Sequence, residues 1–161
     1  MAEAEAFVSM ARTLSDHPGT AVQRLVEIAM KATGAGSAGI SVAEGRGESA
    51  KFRWIAVAGA FEPFVQGTMP RDFSPCGAVL DAGRTLLMRD PERHYGYMQD
   101  FRPAVRSALL VPFARRGALV GTLWVLSHSS EKWFTADDVQ VVESLTVFVT
   151  SILDTLETAH T

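Results

Sequence analysis

A chain of 161 residues, 47% of them apolar, holds enough material for one sizeable core, and a second domain would be cramped. The formal net charge of −3 and an isoelectric point near 5.8, with arginines scattered rather than striped, argue against nucleic acid as a partner. A single cysteine, Cys76, excludes an internal disulfide and agrees with a reducing, cytoplasmic compartment.

The N-terminus, Met1-Ala2-Glu3-Ala4-Glu5-Ala6-Phe7, is acidic and lacks the basic start and apolar core of a signal peptide. No run approaches the roughly 20 apolar residues that cross a bilayer, so no membrane partner is expected. Phe7, Met10 and Leu14 mark one apolar stripe of a first short helix. A second helix is expected to start with Asp16 as its cap and Pro18 in its first turn, to bury Val22, Leu25, Val26 and Ala29, and to stop at Gly34. Residues 37–42 suit a strand covered on both faces. The glycine-rich Glu44-Gly45-Arg46-Gly47-Glu48 reverses the chain into a returning strand over 52–58. Strict alternation puts Phe52, Trp54, Ala56 and Ala58 on one face of that strand and Arg53, Ile55 and Val57 on the other.

Residues 60–67 have no clear period and contain Pro63, and they read as irregular or a helical turn. The stretch Met69-Pro70-Arg71-Asp72-Phe73-Ser74-Pro75-Cys76-Gly77 follows, then a short helix over 76–82 ended by Gly83 and a short strand over 85–88. Residues 90–103 are polar, aromatic and proline-bounded, and a loop of that length in a compact domain is usually functional or disordered. Its aromatic content argues for order. Two apolar runs over 107–114 and 118–127, joined at Arg115-Arg116-Gly117, form the clearest hairpin, with an irregularity expected at Pro112 because proline cannot donate to a ladder. The closing helix, over 135–160, opens with a capping box at Thr135-Ala136-Asp137-Asp138. Val139, Val142, Leu145, Val149, Ile152 and Leu156 advance along one face, while Val141 and Phe148 add apolar surface elsewhere, which suggests a helix packed on two sides, one of them a second copy.

This order of elements, together with the Met69–Gly77 run, Arg89-Asp90-Pro91-Glu92-Arg93-His94-Tyr95, Leu109-Leu110-Val111-Pro112-Phe113 and Gly121-Thr122-Leu123-Trp124-Val125, resembles GAF domains found at the front of bacterial sensor histidine kinases. The resemblance spans nearly the whole chain and implies one α+β domain over residues 1–161. Its central antiparallel sheet has about five or six strands. The terminal helices, 1–34 and 135–160, lie on one face, and a pocket roofed by loops and short helices lies on the other. GAF domains bind cyclic nucleotides, linear tetrapyrroles, haem, small anions or metabolites, so the cofactor or ligand stays unknown. Bilin-binding relatives place a cysteine just before a histidine in the long loop. Here His94 follows Arg93, which argues against covalent bilin. Relatives that reduce free methionine sulfoxide use more than one cysteine, and this chain has one.

Candidate ligand-binding residues are Arg71, Asp72, Phe73, Ser74, Cys76, His94, Tyr95, Tyr97, Met98, Phe101 and Trp124. Cys76 reads either as a thiolate activated by a helix start, with His94 as base, or as a small buried side chain. Cys76, Asp72, Asp90 and His94 match no closed zinc spacing. Arg71, Arg89, Arg93 and Arg102 carry the forks that grip anions, and each has the plainer reading of solvated or paired surface. Tyr95, Tyr97, Met98 and Phe101 serve a ligand wall or the loop's own anchor equally well. Trp54 and Trp124 read as core, with a pocket role open for Trp124. The expected function is a regulatory small-molecule-binding domain with no catalytic set of its own, dimeric through its terminal helices and coupled to a kinase region outside the chain. The alternatives are a thiol enzyme or redox sensor using Cys76 with His94, and a dimerisation module with a vestigial pocket.

Overall fold

The structure, a computed structural model, describes residues 2–17 and 20–159. Pro18, expected in a helical first turn, the Leu156 side chain and His160 lie outside the described residues. Four α-helices, α1 (Ala2–Asp16), α2 (Ala21–Thr33), α3 (Pro75–Ala82) and α4 (Ala136–Ala159), accompany six strands. The strands are β1 (Ser37–Glu44), β2 (Lys51–Gly59), β3 (Thr68–Pro70), β4 (Leu86–Arg89), β5 (Ser107–Arg115) and β6 (Ala118–Ser127). They form one antiparallel sheet in the order β3-β2-β1-β6-β5-β4.

Local signals explain most boundaries. The N–H of Thr135 donates to Asp138 Oδ2 at 2.9 Å and the N–H of Asp138 donates to Thr135 Oγ1 at 3.2 Å, so both arms of the capping box start α4. Gly34 and Gly83 end α2 and α3 in the left-handed region that glycine enters without steric cost. Arg116 and Gly117, both at positive φ, make the two-residue hairpin turn whose twist matches its strands. Asp16 is not the cap of α2. It is the last residue of α1, and α2 begins at Ala21, after Thr20, because the first helix runs further than its apolar stripe.

One correction decides which side chains face the site. Ile40 pairs with Ala56 but Ser41 pairs with Trp54, so Ile55 is an extra residue, a β-bulge that reverses the alternation of β2. Phe52 and Trp54 therefore face one side of the sheet, with Val57, while Ala56 and Ala58 face the other. The irregularity anticipated at Pro112 falls one residue later, between Phe113 and Ala114. Pro112 keeps its place in register because β4 pairs only with Ser107–Leu110, leaving the far side of β5 without a strand there.

The sheet separates two cores. On one face α1, α2 and α4 bury Met10, Leu25, Val26, Val142 and Leu145 against Ile40, Leu109 and Leu123. Val141 and Phe148 belong to this same core, with the Phe148 ring 4.8 Å from Phe7 of α1, and Ser144 Oγ donates to Glu3 Oε1 at 2.5 Å. The second apolar side of α4 is thus met by α1 of the same chain, while Phe7, Val8 and Val147 stay exposed. On the other face α3 and the loops between β2 and β5 enclose Phe52, Trp54, Phe61, Val79, Val105 and Trp124.

Candidate functional site

The run that begins the site is built from its own local chemistry. Ser74 caps α3 by accepting from the Gly77 N–H at 3.1 Å, and Pro75 occupies the first turn, where its missing N–H costs nothing. A Cβ on Gly77 would lie 2.0 Å from the Arg71 carbonyl oxygen, so glycine lets the helix press against the preceding loop. This seats Cys76 over the middle of the sheet.

There Cys76 meets β1 and β6. Its Sγ lies 3.4 Å from Ser41 Oγ and 3.1 Å from Thr122 Oγ1, and Trp124 Nε1 donates to Ser41 Oγ at 2.8 Å. All four side chains are buried. The Trp124 ring lies across Gly39, where a Cβ would come within 2.2 Å of it. Burial pushes the Cys76 thiol up from its ordinary range, against smaller opposing effects of the two hydroxyls. His94 is exposed, 5.7 Å from the Phe73 ring and 4.6 Å from the Tyr95 ring by centroid, and is no hydrogen-bond partner of the thiol.

Above this floor the second core leaves two small cavities. The inner one, about 20 Å³, is bounded by Trp54, Phe61, Cys76, Met98, Phe101 and Trp124 among others. The outer one, about 130 Å³, is bounded by Trp54, Phe64, Gly67, Thr68, Met69 and Phe101. Trp54, Met69 and Phe101 wall both. The indoles of Trp54 and Trp124 sit 4.9 Å apart by centroid, and Phe61 and Phe101 meet edge to face at 5.9 Å. Trp54 Nε1 is sealed from solvent with no hydrogen-bond partner among the described residues, a state that costs about 1–3 kcal/mol.

Of the residues singled out from sequence, Cys76, Met98, Phe101 and Trp124 line the inner cavity, and Tyr95 lies buried in the surrounding core. Tyr97 is half-buried, its hydroxyl donating to the Phe73 carbonyl at 2.8 Å, and burial raises its pKa. Phe73, 47% exposed, packs outside against Tyr95 and Tyr97, and Ser74 is a helix cap. Asp72 is exposed. Among the described residues no arginine lines either cavity. Arg71 pairs with Asp81 at 2.9 Å, Arg89 lies over Trp133 at 3.9 Å, Arg102 donates to the carbonyls of Gln99 and Phe101, and Arg93 is exposed. Among the described residues no three His, Cys, Asp or Glu side chains gather into a metal-holding group.

The sequence reading missed Ser41, Phe61, Phe64, Met69 and Thr122, and gave Trp54 to the core. His128, in the loop just after β6, fixes a further part of the site. His128 Nε2 is 2.8 Å from Ser37 Oγ, Nδ1 is 3.0 Å from the Ala104 carbonyl, and the ring packs on Phe61 at 4.7 Å. Ser37 Oγ in turn accepts from the Phe61 N–H at 3.1 Å, so this chain of bonds fixes one cavity wall. Because the Ala104 carbonyl can only accept, Nδ1 carries the hydrogen of that bond. The usable signal was at Trp54: a large aromatic on a strand whose partner offers only small residues, Gly39 and Ser41.

A wider groove along α1, lined by Glu5, Arg12, Asp16 and Arg24, is open to solvent and lies on the helical side of the sheet, remote from these cavities.

Comparison with known proteins agrees with this architecture. Solved structures similar to the chain include the GAF domain of a phosphoenolpyruvate-protein phosphotransferase from Coxiella burnetii (14% identity, 99% of this chain and 97% of that one, TM-score 0.82). They also include a free methionine-R-sulfoxide reductase from Neisseria meningitidis in complex with its substrate (17% identity, 98% and 91%, TM-score 0.77). The GAF-B domain of DevS from Mycobacterium smegmatis is a third (16% identity, 89% and 97%, TM-score 0.68). At such identities the likeness is one of fold. No curated protein matches the chain by sequence. The GAF domain family model matches residues 17–153, and the chain belongs to the GAF family.

Proposed function

We propose that this GAF domain is a regulatory small-molecule sensor in a cytoplasmic signal-transduction protein. Ligand occupancy on the loop-covered face of the sheet shifts the packing of α1 and α4 on the other face and so an output beyond the chain. The observation that carries the reading is the second core: it closes over cavities instead of filling them, and it leaves a buried indole N–H without a partner. A regulatory role needs no catalytic set, and the one thiol, buried and protonated between hydroxyls, lacks a base. Coupling runs through β1 and β6, which carry Ser41, Thr122 and Trp124 on the cavity face and Ile40, Leu123 and Val125 on the helix face.

The output we propose is a sensor histidine kinase of a bacterial two-component system, on the resemblance of the Met69–Gly77 run to GAF modules of those proteins. The exposed Phe7, Val8 and Val147 on α1 and α4 are the surface through which the domain pairs with a second copy. No helix among the described residues is long and apolar enough to cross a membrane.

Native mass spectrometry of freshly purified protein tests both halves together. The expected result is a dimer that retains a small molecule or takes one up from a metabolite panel with a rise in melting temperature. A monomer that carries no ligand and is stabilised by no member of the panel would overturn the reading.

A further inference from the structure

We infer that the ligand is an uncharged apolar molecule of about one ring held in the outer cavity, and that Met69 sets its size by standing between that cavity and the inner one. On the reading that the loop-covered face holds a ligand, the linings of the two cavities narrow its chemistry.

Among the described residues no Lys, Arg, His, Asp or Glu lines either cavity. Thr68, on the outer wall, pairs with Arg53 in the β2–β3 ladder, while Met69 pairs with Phe52 and is buried with it in the second core. Successive side chains of a strand point to opposite faces, so the side chains of Thr68 and Arg53 turn away from the cavities. Arg53 is held on that far side by Glu44 and by the Gln66 carbonyl, each at 2.8 Å. Gly67 has both backbone groups in use: its N–H donates to the Phe64 carbonyl and its carbonyl accepts from the Trp54 backbone N–H, each at 2.9 Å. A carboxylate, phosphate or nitrate moved into this lining would leave water with no counter-ion to meet it.

Size narrows the class further. The outer cavity of about 130 Å³ is comparable to the roughly 150 Å³ apolar cavity that holds a benzene ring. The inner one, at about 20 Å³, has room for little more than one water-sized sphere. A ligand of ordinary size therefore stops in the outer cavity unless the wall between the two gives way.

That wall consists of Trp54, Met69 and Phe101, which bound both cavities. Two of the three are fixed by other rings. Trp54 lies 4.9 Å from Trp124 and 6.3 Å from Phe61 by centroid, and Phe101 lies 5.9 Å from Phe61 and 6.2 Å from Tyr97. Met69 comes instead from β3, a strand of three residues at the sheet edge that pairs with β2 alone, and its unbranched thioether fills the gap that the rings leave. Shortening this one side chain joins the cavities into a slot that runs down to Cys76 and Trp124, while Trp54 and Phe101 keep their ring contacts.

The test uses the full chain and three probes: toluene, naphthalene with its second fused ring, and benzoate with its charge. The chain has six methionines, so labelling their methyl groups with 13C gives at most six signals, and the volume-conserving Met69→Leu and Met98→Leu each identify one by deletion. Met98 bounds the inner cavity and not the outer, so the two methyl groups report how deep a probe sits. In the wild type, toluene should show nuclear Overhauser contacts to the Met69 methyl and none to Met98, and should bind about tenfold tighter than benzoate. In Met69→Ala, naphthalene should gain about tenfold over toluene relative to the wild type and should reach Met98. Contacts from toluene to Met98 in the wild type would overturn Met69 as the divider whether or not Met69→Ala folds, as would an unchanged naphthalene-to-toluene ratio in that variant. Benzoate binding as tightly as toluene would overturn the uncharged class. No contact to Met69 from any probe at millimolar concentration would overturn this inference, and the sensory reading would fall only if the metabolite panel also gave nothing.

Discussion

Replacing Gly39 with alanine tests whether the floor of the site is as tightly built as the geometry says. Gly39 lies in β1 with an ordinary extended backbone, so alanine fits the chain conformation and even removes some unfolded-state entropy. The obstacle is the added methyl group, which would lie 2.2 Å from Trp124 Cζ2 and 2.5 Å from Cη2, far inside contact distance. The indole is 2% exposed and anchored by its bond to Ser41, so it moves only by giving up that bond or by pushing into the cavity wall. Overpacking costs about 1–3 kcal/mol, and losing a buried hydrogen bond adds about 1–3 kcal/mol. Against an entropic gain of about 0.4–1 kcal/mol, the net loss comes to roughly 1–5 kcal/mol. For a domain of this size that is a fall of about 2–20 °C in melting temperature. Urea denaturation of wild type, Gly39→Ala, Trp124→Phe and the double variant forms a cycle, and the smaller ring should recover most of the alanine penalty. A loss below about 1 kcal/mol, or penalties that simply add, would refute the close approach of Trp124 to β1.

Other consequences are as direct. The Cys76 thiol should label at neutral pH only through opening of the second core, and fast labelling of the native protein would contradict its burial. Because its folded pKa is raised, both states carry the proton below the ordinary value of 9.0, and above it the unfolded chain releases the proton first. Stability should then fall as the pH rises above about 9, by at most about 1.4 kcal/mol per pH unit, and Cys76→Ala should flatten that limb; an unchanged slope in the variant would assign it to other groups. Thr135→Ala should cost about 1 kcal/mol in denaturant titrations, and because Thr135 and Asp138 cap each other reciprocally, Thr135→Ala with Asp138→Asn should cost less than the sum; a neutral Thr135→Ala would mean the box carries no weight. Val147→Asp, at a position 62% exposed, should leave monomer stability within about 0.5 kcal/mol and dissociate the proposed dimer in sedimentation, whereas an intact dimer would remove α4 from the interface.

The sequence by itself determined the features whose causes are local. The αL glycines at 34 and 83, the Thr135 capping box and the Arg116-Gly117 turn each depend on a few neighbouring residues, so their chemistry is readable without knowing what packs against them. The apolar periods of α2 and α4 likewise announced a covered helix face. What only the tertiary structure decided depends on partners distant in the chain. The bulge at Ile55 puts Trp54 opposite Ser41 and sends Ala56 to the helices, and it shows only in the register of β2 on β1. No alternation rule contains that reversal. Arg71 looked like an anion grip and became a partner of Asp81, because α3 folded back on its own loop. Phe148 looked like surface for a second copy until α1, more than a hundred residues away in sequence, covered it. The indole N–H of Trp54 is the clearest case: composition shows a tryptophan on a strand, but only the assembled core decides that its one polar atom is buried with nothing to hold.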